Sequence, residues 1–183
     1  ERQALCKARP ICGSEQACQR IMEVIQHILQ NPSWKDAYLH EITETRHRLE
    51  ASASPRNLKR APGGTIDIEF IVQMLQLRHG AKSRKILRPG TLSALSSLHE
   101  EGFLDKDTFV TLSEAYRYLR GVEARLRLMN TAARHDLPED GTELAKLAYL
   151  LHEDSAAGLE NKSRNITIEA RRLYHCLFHS AQN

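Results

Sequence analysis

The sequence predicts an all-α fold, a helical bundle of about seven or eight helices with a central apolar helix. Apolar residues recur at three- and four-residue spacing along almost the whole chain, the signature of helices with one buried face. Strand signals are nearly absent: no segment alternates apolar and polar residues with a period of two. Between Thr65 and His79 the apolar residues go all round the helix (Ile66, Ile68, Phe70, Ile71, Val72, Met74, Leu75, Leu77), which places that segment inside the bundle.

Arg2 to Ala8 reads as the end of a helix closed by Pro10. Ser14 is placed to cap a second helix, in which Ala17, Ile21, Val24, Ile25 and Ile28 recur, and Asn31-Pro32 stops it. Ser33 caps a third, to about Ala51, with Ala37, Ile42, Thr45 and Leu49 along one side. Ser52 to Gly64 is the clearest break, ending in Pro62-Gly63-Gly64, a sequence suited to unusual backbone angles and close approaches. Gly80 ends the apolar helix, and the basic loop of Lys82, Arg84, Lys85 and Arg88 closes at Pro89-Gly90. Thr91 caps a short helix that ends at Gly102, where a left-handed cap is expected. Asp105 opens a long helix through Phe109, Leu112, Tyr116, Leu119, Leu126 and Met129, and His135 to Pro138 breaks the chain again. Two further helices, about 141–152 and 155–180, complete it.

The 183 residues are 41% hydrophobic and 27% charged, enough apolar material for a sizeable core and too much for wholesale disorder. A net charge of +3 is weak for a nucleic-acid binder, and the basic loop has no interleaved aromatics for stacking, so nucleic acid is not an expected partner. No run approaches the roughly 20 apolar residues of a membrane span. The opening, Glu1 to Leu5, has neither an apolar run nor an initiating Met and reads as a boundary inside a longer protein. The four cysteines form no CxxC pair and read as reduced thiols of a cytoplasmic protein.

The unusual feature is polar residues inside the most apolar segment: Asp67, Glu69, Gln73 and Gln76. An acid in the first turn favours the positive end of the helix dipole, which explains Asp67. Buried acids also need cationic partners, and Lys59, Arg60 or arginines of neighbouring helices are the candidates. The side chains thus point to a structural ion-pair network at a domain junction, with direct catalysis as the alternative. No metal site is expected. Asp105-Lys106-Asp107 is explained by Asp105 as a helix cap, and His175 and His179, although four apart, lack a third ligand.

The stretch Gly63-Gly64-Thr65-Ile66-Asp67-Ile68-Glu69-Phe70-Ile71-Val72-Gln73 closely resembles the Gly-Gly-x-x-Asp-Ile-Glu-Phe-x-x-Gln signature of the glutamine synthetase adenylyltransferase family. The opening from Glu1 to Pro10 resembles the family's segment just after a nucleotidyltransferase domain. The runs 115–120 and 123–128 are similar to its long helix, and His135-Asp136-Leu137-Pro138 to the loop beyond.

The resemblance implies a two-part arrangement: residues 1–13 are the tail of a preceding nucleotidyltransferase domain, and 14–183 a helical companion domain. It implies a parent enzyme that uses ATP and magnesium to adenylylate a tyrosine of glutamine synthetase, with a second half that removes the AMP by phosphorolysis. Ile66 before Asp67 is more like the adenylylating, C-terminal half. Implied partners are the chain's own nucleotidyltransferase domain and glutamine synthetase, with the PII signalling protein as a further candidate. The family's metal carboxylates follow a Gly-Ser as Asp-x-Asp, and Gly13-Ser14 has none after it, so no catalytic residue is assigned here. Arg2, Lys7 and Arg9, close to the implied junction, are the candidates for meeting nucleotide phosphates. Lys59, Arg60, Gly63, Gly64, Asp67, Glu69 and Gln73 form the junction motif. The alternatives are a regulatory module binding an effector or the PII protein, and the helical domain of a PII-uridylyltransferase.

Overall fold

The computed structural model describes residues 1–30, 34–129 and 135–181. Among these lie eight α-helices and one 3-10 turn: α1 (Arg2–Leu5), α2 (Glu15–Gln30), α3 (Asp36–Ala51), α4 (Thr65–His79), the turn Arg84–Ile86, α5 (Thr91–Glu100), α6 (Lys106–Met129), α7 (Gly141–Leu150) and α8 (Ala156–Ser180).

Helix α4 occupies the centre. Eleven of its residues are buried, from Thr65 to Gln76, and α1, α3, α5, α6 and α8 all pack on it. Its apolar residues form one core with Leu95 and Leu98 of α5, Leu112, Leu119 and Leu126 of α6, Leu147 of α7 and Leu159 of α8. Burying side chains of this size stabilises by about 1.5–3 kcal/mol each before chain entropy is counted.

The caps follow the sequence in most places. Ser14 Oγ accepts from Ala17 N at 3.3 Å, Asp105 Oδ1 from Thr108 N at 2.9 Å and Ser155 Oγ from Gly158 N at 3.0 Å. Gly102 takes φ +75°, the left-handed cap expected of it. Gly90 rather than Thr91 stands at the N-cap of α5, because Thr91 is already helical and its hydroxyl is engaged by Lys7. The proposed α3 cap, Ser33, lies outside the described residues, as does the stop at Asn31-Pro32. Helix α1 ends at Leu5, not Ala8: Lys7 N and Ala8 N donate to Ala4 O and Leu5 O in three-residue turns, tightening the chain ahead of Pro10.

Two faces differ from the expectation. Helix α3 buries Leu39, Ile42 and Arg46, whereas Ala37 is exposed, because the face is chosen by a charge pair with α4. In α2 only Leu29 is buried, and Ile21 (53% exposed), Val24 (59%) and Ile28 (39%) face outward.

Candidate functional site: the polar faces of the central helix

The polar residues of α4 divide between a sealed face and a partly open one. On the sealed face Asp67 is fully buried. Its Oδ1 accepts from Arg46 Nε of α3, and its Oδ2 accepts from Arg171 Nη1 of α8 at 3.1 Å and from Gly63 N at 2.7 Å. Glu50 completes the group, 3.3 Å from Arg46 Nη1 and 3.0 Å from Arg171 Nη2. Two cations therefore meet two carboxylates, and the group ties α3, α4 and α8 together. Arg46 Nη2 also donates to Ala61 O at 3.1 Å, fixing the loop ahead of α4.

That loop explains the glycines. Gly63 adopts φ +75°, and a Cβ there would lie 1.7 Å from Thr167 O. At Gly64 a Cβ would lie 2.7 Å from both Leu58 O and Lys59 O. One glycine is needed for its backbone angle and its contact with α8, the other for a close approach within the loop.

On the partly open face Thr65, Glu69 and Gln73 follow one another at four-residue spacing, one above the next. Thr65 Oγ1 donates to Glu123 Oε1 of α6 at 3.3 Å. Glu69 Oε1 accepts from the Tyr116 hydroxyl at 2.8 Å and lies 3.7 Å from Lys7 Nζ. Gln73 Oε1 accepts from Gln3 Nε2 at 2.7 Å, and Lys7 Nζ also donates to Thr91 Oγ1 at 2.5 Å. Burial pushes the Tyr116 hydroxyl up to about 12, so it stays a donor. The opening stretch of the chain thus engages this face through Gln3 and Lys7. Gln76 points elsewhere, and its Nε2 donates to Ile86 O and Arg88 O, both at 2.8 Å, holding the basic loop.

The candidate cations do not gather in one place. Lys7 sits on Glu69 and Thr91, whereas Arg2 lies over the Tyr38 ring at 5.2 Å, beside a cleft of about 380 Å³ that Glu1, Gln3, Leu29, Glu41 and Leu77 help to line. Arg9 is exposed. Lys59 and Arg60 are not the partners of Asp67, which takes the helix arginines Arg46 and Arg171 instead. Among the described residues no group of three His, Cys, Asp or Glu could hold a metal ion.

Of the cations offered as partners for the buried acids, the arginines of neighbouring helices hold Asp67, as Arg46 and Arg171, while Glu123 and Gln3 were not singled out in the sequence. Arg46 stands four residues after Ile42, on the same side of α3, and that is the one local signal for it. Glu123, 1% exposed, is paired with Arg120 Nη1 at 2.6 Å, an i,i+3 spacing visible in the sequence.

A central helix with one sealed ion-pair face and one polar face engaged by the opening stretch defines a helical bundle domain. The chain belongs to the family described as GlnD PII-uridylyltransferase, whose model matches residues 37–178. It is also similar to bifunctional glutamine synthetase adenylyltransferase/adenylyl-removing enzymes. The one from Streptomyces avermitilis is 32% identical over 98% of this chain, and that from Mycobacterium leprae 31% identical over 98%. The chain spans 18% of the length of the Streptomyces relative and 19% of the mycobacterial one.

Proposed function

We propose that this chain is the helical companion domain of a bifunctional enzyme that adenylylates and deadenylylates glutamine synthetase. In this role it positions nucleotide and protein substrate against a nucleotidyltransferase domain formed outside these residues. The observation that carries the reading is similarity to such enzymes along 98% of the chain. Supporting it, Gln3 and Lys7 of the opening stretch grip Gln73 and Glu69 of α4, which would couple a preceding domain to the bundle's central helix. Residues 1–13 are then the tail of that domain and 14–183 the companion. ATP and magnesium belong to the catalytic domain, and Ile66 before Asp67 favours the adenylylating half. Four free cysteines and the absence of any helix long and apolar enough to cross a membrane among the described residues fit a cytoplasmic protein.

The family description favours a second reading, the helical domain of an enzyme that uridylylates the PII protein. One pair of assays separates the two. The whole enzyme is given ATP and glutamine synthetase, or UTP and PII, and the isolated chain is run beside it. The first reading expects AMP transfer by the whole enzyme and none by the chain alone. UMP transfer to PII would establish the second, and AMP transfer by the isolated chain would refute the companion role.

A further inference from the structure

Beyond the junction, one group of charges is not absorbed by packing. Leu58 N donates to His135 O at 2.9 Å, bringing the loop before α4 against the segment after α6. Asn57 Oδ1 accepts from Lys59 N at 3.1 Å and from Arg60 N at 2.7 Å, fixing the turn that carries these two cations. On α6, Arg120, Glu123 and Arg127 stand three and four residues apart and share one side of the helix. Glu123 Oε1 lies 4.0 Å from His135 Nδ1, which joins the loop cations to the helix cations around one buried carboxylate. That carboxylate is already engaged by Arg120 at 2.6 Å and by Thr65 at 3.3 Å.

The cluster is therefore electropositive. Arg60 and Arg127 are exposed and Lys59 is half-buried, and among the described residues none of the three has an ion-pair partner. Among the described residues His135 Nδ1, shielded from solvent, has no hydrogen-bond partner. Burial first, and then the charges of Lys59, Arg127 and Arg60, hold its imidazole below the usual range. The first backbone N–H groups of α4 are not available to an anion: Thr65 N and Ile66 N donate to Leu58 O and Lys59 O. Recognition must come from the side chains.

We propose that Lys59, Arg60, Arg120 and Arg127 form a wall that binds the polyphosphate group of a nucleotide. This rests on the companion-domain reading and gives it a ligand class. Guanidinium forks match phosphate oxygens in a bidentate way, and the ammonium of Lys59 adds a point charge. The four side chains are all cationic, so the polyphosphate is the part of a nucleotide that they match best. Thr65 lies one helical turn, about 6 Å, from Glu69 on α4, and Glu123 two turns, about 10 Å, from Tyr116 on α6, so the wall continues the junction face.

The test uses the 183-residue chain with inorganic tripolyphosphate as probe, at about 0.15 M salt, where exposed charges are screened beyond roughly 8 Å. Calorimetry should show saturable binding, and the His135 ring resonances should move with it. Lys59→Gln/Arg127→Gln should weaken binding by roughly tenfold or more, which is about 1.4 kcal/mol. Arg20→Gln/Lys106→Gln removes the same charge from distant exposed positions and should change it less than about twofold. Melting curves confirm that both variants fold. The inference is overturned by no saturable binding at millimolar probe, by equal loss in both double variants, or by an acidic peptide that binds more tightly than tripolyphosphate. Because no catalytic domain takes part, a negative result here leaves the companion role standing. Failure of AMP transfer in the whole enzyme would in turn leave the binding result intact.

Discussion

Replacing Asp67 by Asn keeps the shape of the side chain and removes its charge from a site with no solvent. In the native protein that carboxylate receives Arg46, Arg171 and the Gly63 amide, and all of its surface is buried. Arg46 is also fully buried, so Asp67→Asn leaves a guanidinium with only Glu50 as anionic partner, at 3.3 Å. Breaking a buried pair from one side costs about 3–5 kcal/mol, largely because the remaining charge stays desolvated. Against a total stability of about 5–15 kcal/mol this is a large fraction, and in a chain of this size it lowers Tm by roughly 6–20 °C. Urea and thermal unfolding followed by circular dichroism measure it directly. The double variant Asp67→Asn/Arg46→Met removes the stranded charge and should lose less than the two single variants added together, with coupling of at least about 1 kcal/mol. A loss below about 1 kcal/mol for Asp67→Asn, or strict additivity in the double variant, would refute the view that this pair locks α3 to α4.

Gly63→Ala places a Cβ 1.7 Å from Thr167 O at φ +75°, and should destabilise by about 3 kcal/mol or more; Gly64→Val should likewise cost both stability and parent-enzyme activity, as melting curves and AMP transfer will report. His79 is held down to about 4 by burial first and then by Arg78 and Lys82, so the unfolded chain takes up a proton before the folded one does. Its contribution to stability should be complete above pH 6.5 and shrink as pH falls from 6.5 towards 4; His79→Gln should flatten that part of a Tm-versus-pH curve. Cys6 is buried and its thiol is pushed up to about 12, chiefly by desolvation, so iodoacetamide at neutral pH should label exposed Cys12 and Cys176 and spare Cys6, read by peptide mass spectrometry.

The sequence made the centre of this fold legible because α4 is apolar on every side, a pattern with few uses other than burial. Helix starts with a short polar cap, such as Ser14, Asp105 and Ser155, were equally readable. The orientation of α3 was not, since an arginine at Arg46 looks like a solvent residue until its partner is known. That partner set depends on Arg171, 104 residues from Asp67 in the chain, and no local pattern carries such a pairing. Periodicity found the stripe of Ile21, Val24 and Ile28 but does not say what covers it, and in this structure the stripe is exposed. The glycine pair and the acids inside an apolar helix marked a segment whose backbone approaches and ion pairs the structure shows. Tyr116, read as one more apolar position of the long helix, proved to donate to Glu69. The split of α4 into a sealed face and an engaged face follows from which helices pack on each side.

The central claim is that the Thr65–Glu69–Gln73 face couples this bundle to a catalytic domain, and Glu69→Gln in the whole enzyme tests it most directly. The substitution keeps a hydrogen-bond acceptor for Tyr116 and removes the charge facing Lys7, at a site about a quarter exposed, where a pair is worth about 1 kcal/mol or less in stability. The predicted result is a fall in AMP transfer of roughly tenfold or more with Tm changed by no more than about 4 °C. Unchanged transfer in a folded Glu69→Gln enzyme would contradict the claim and leave this face as packing alone.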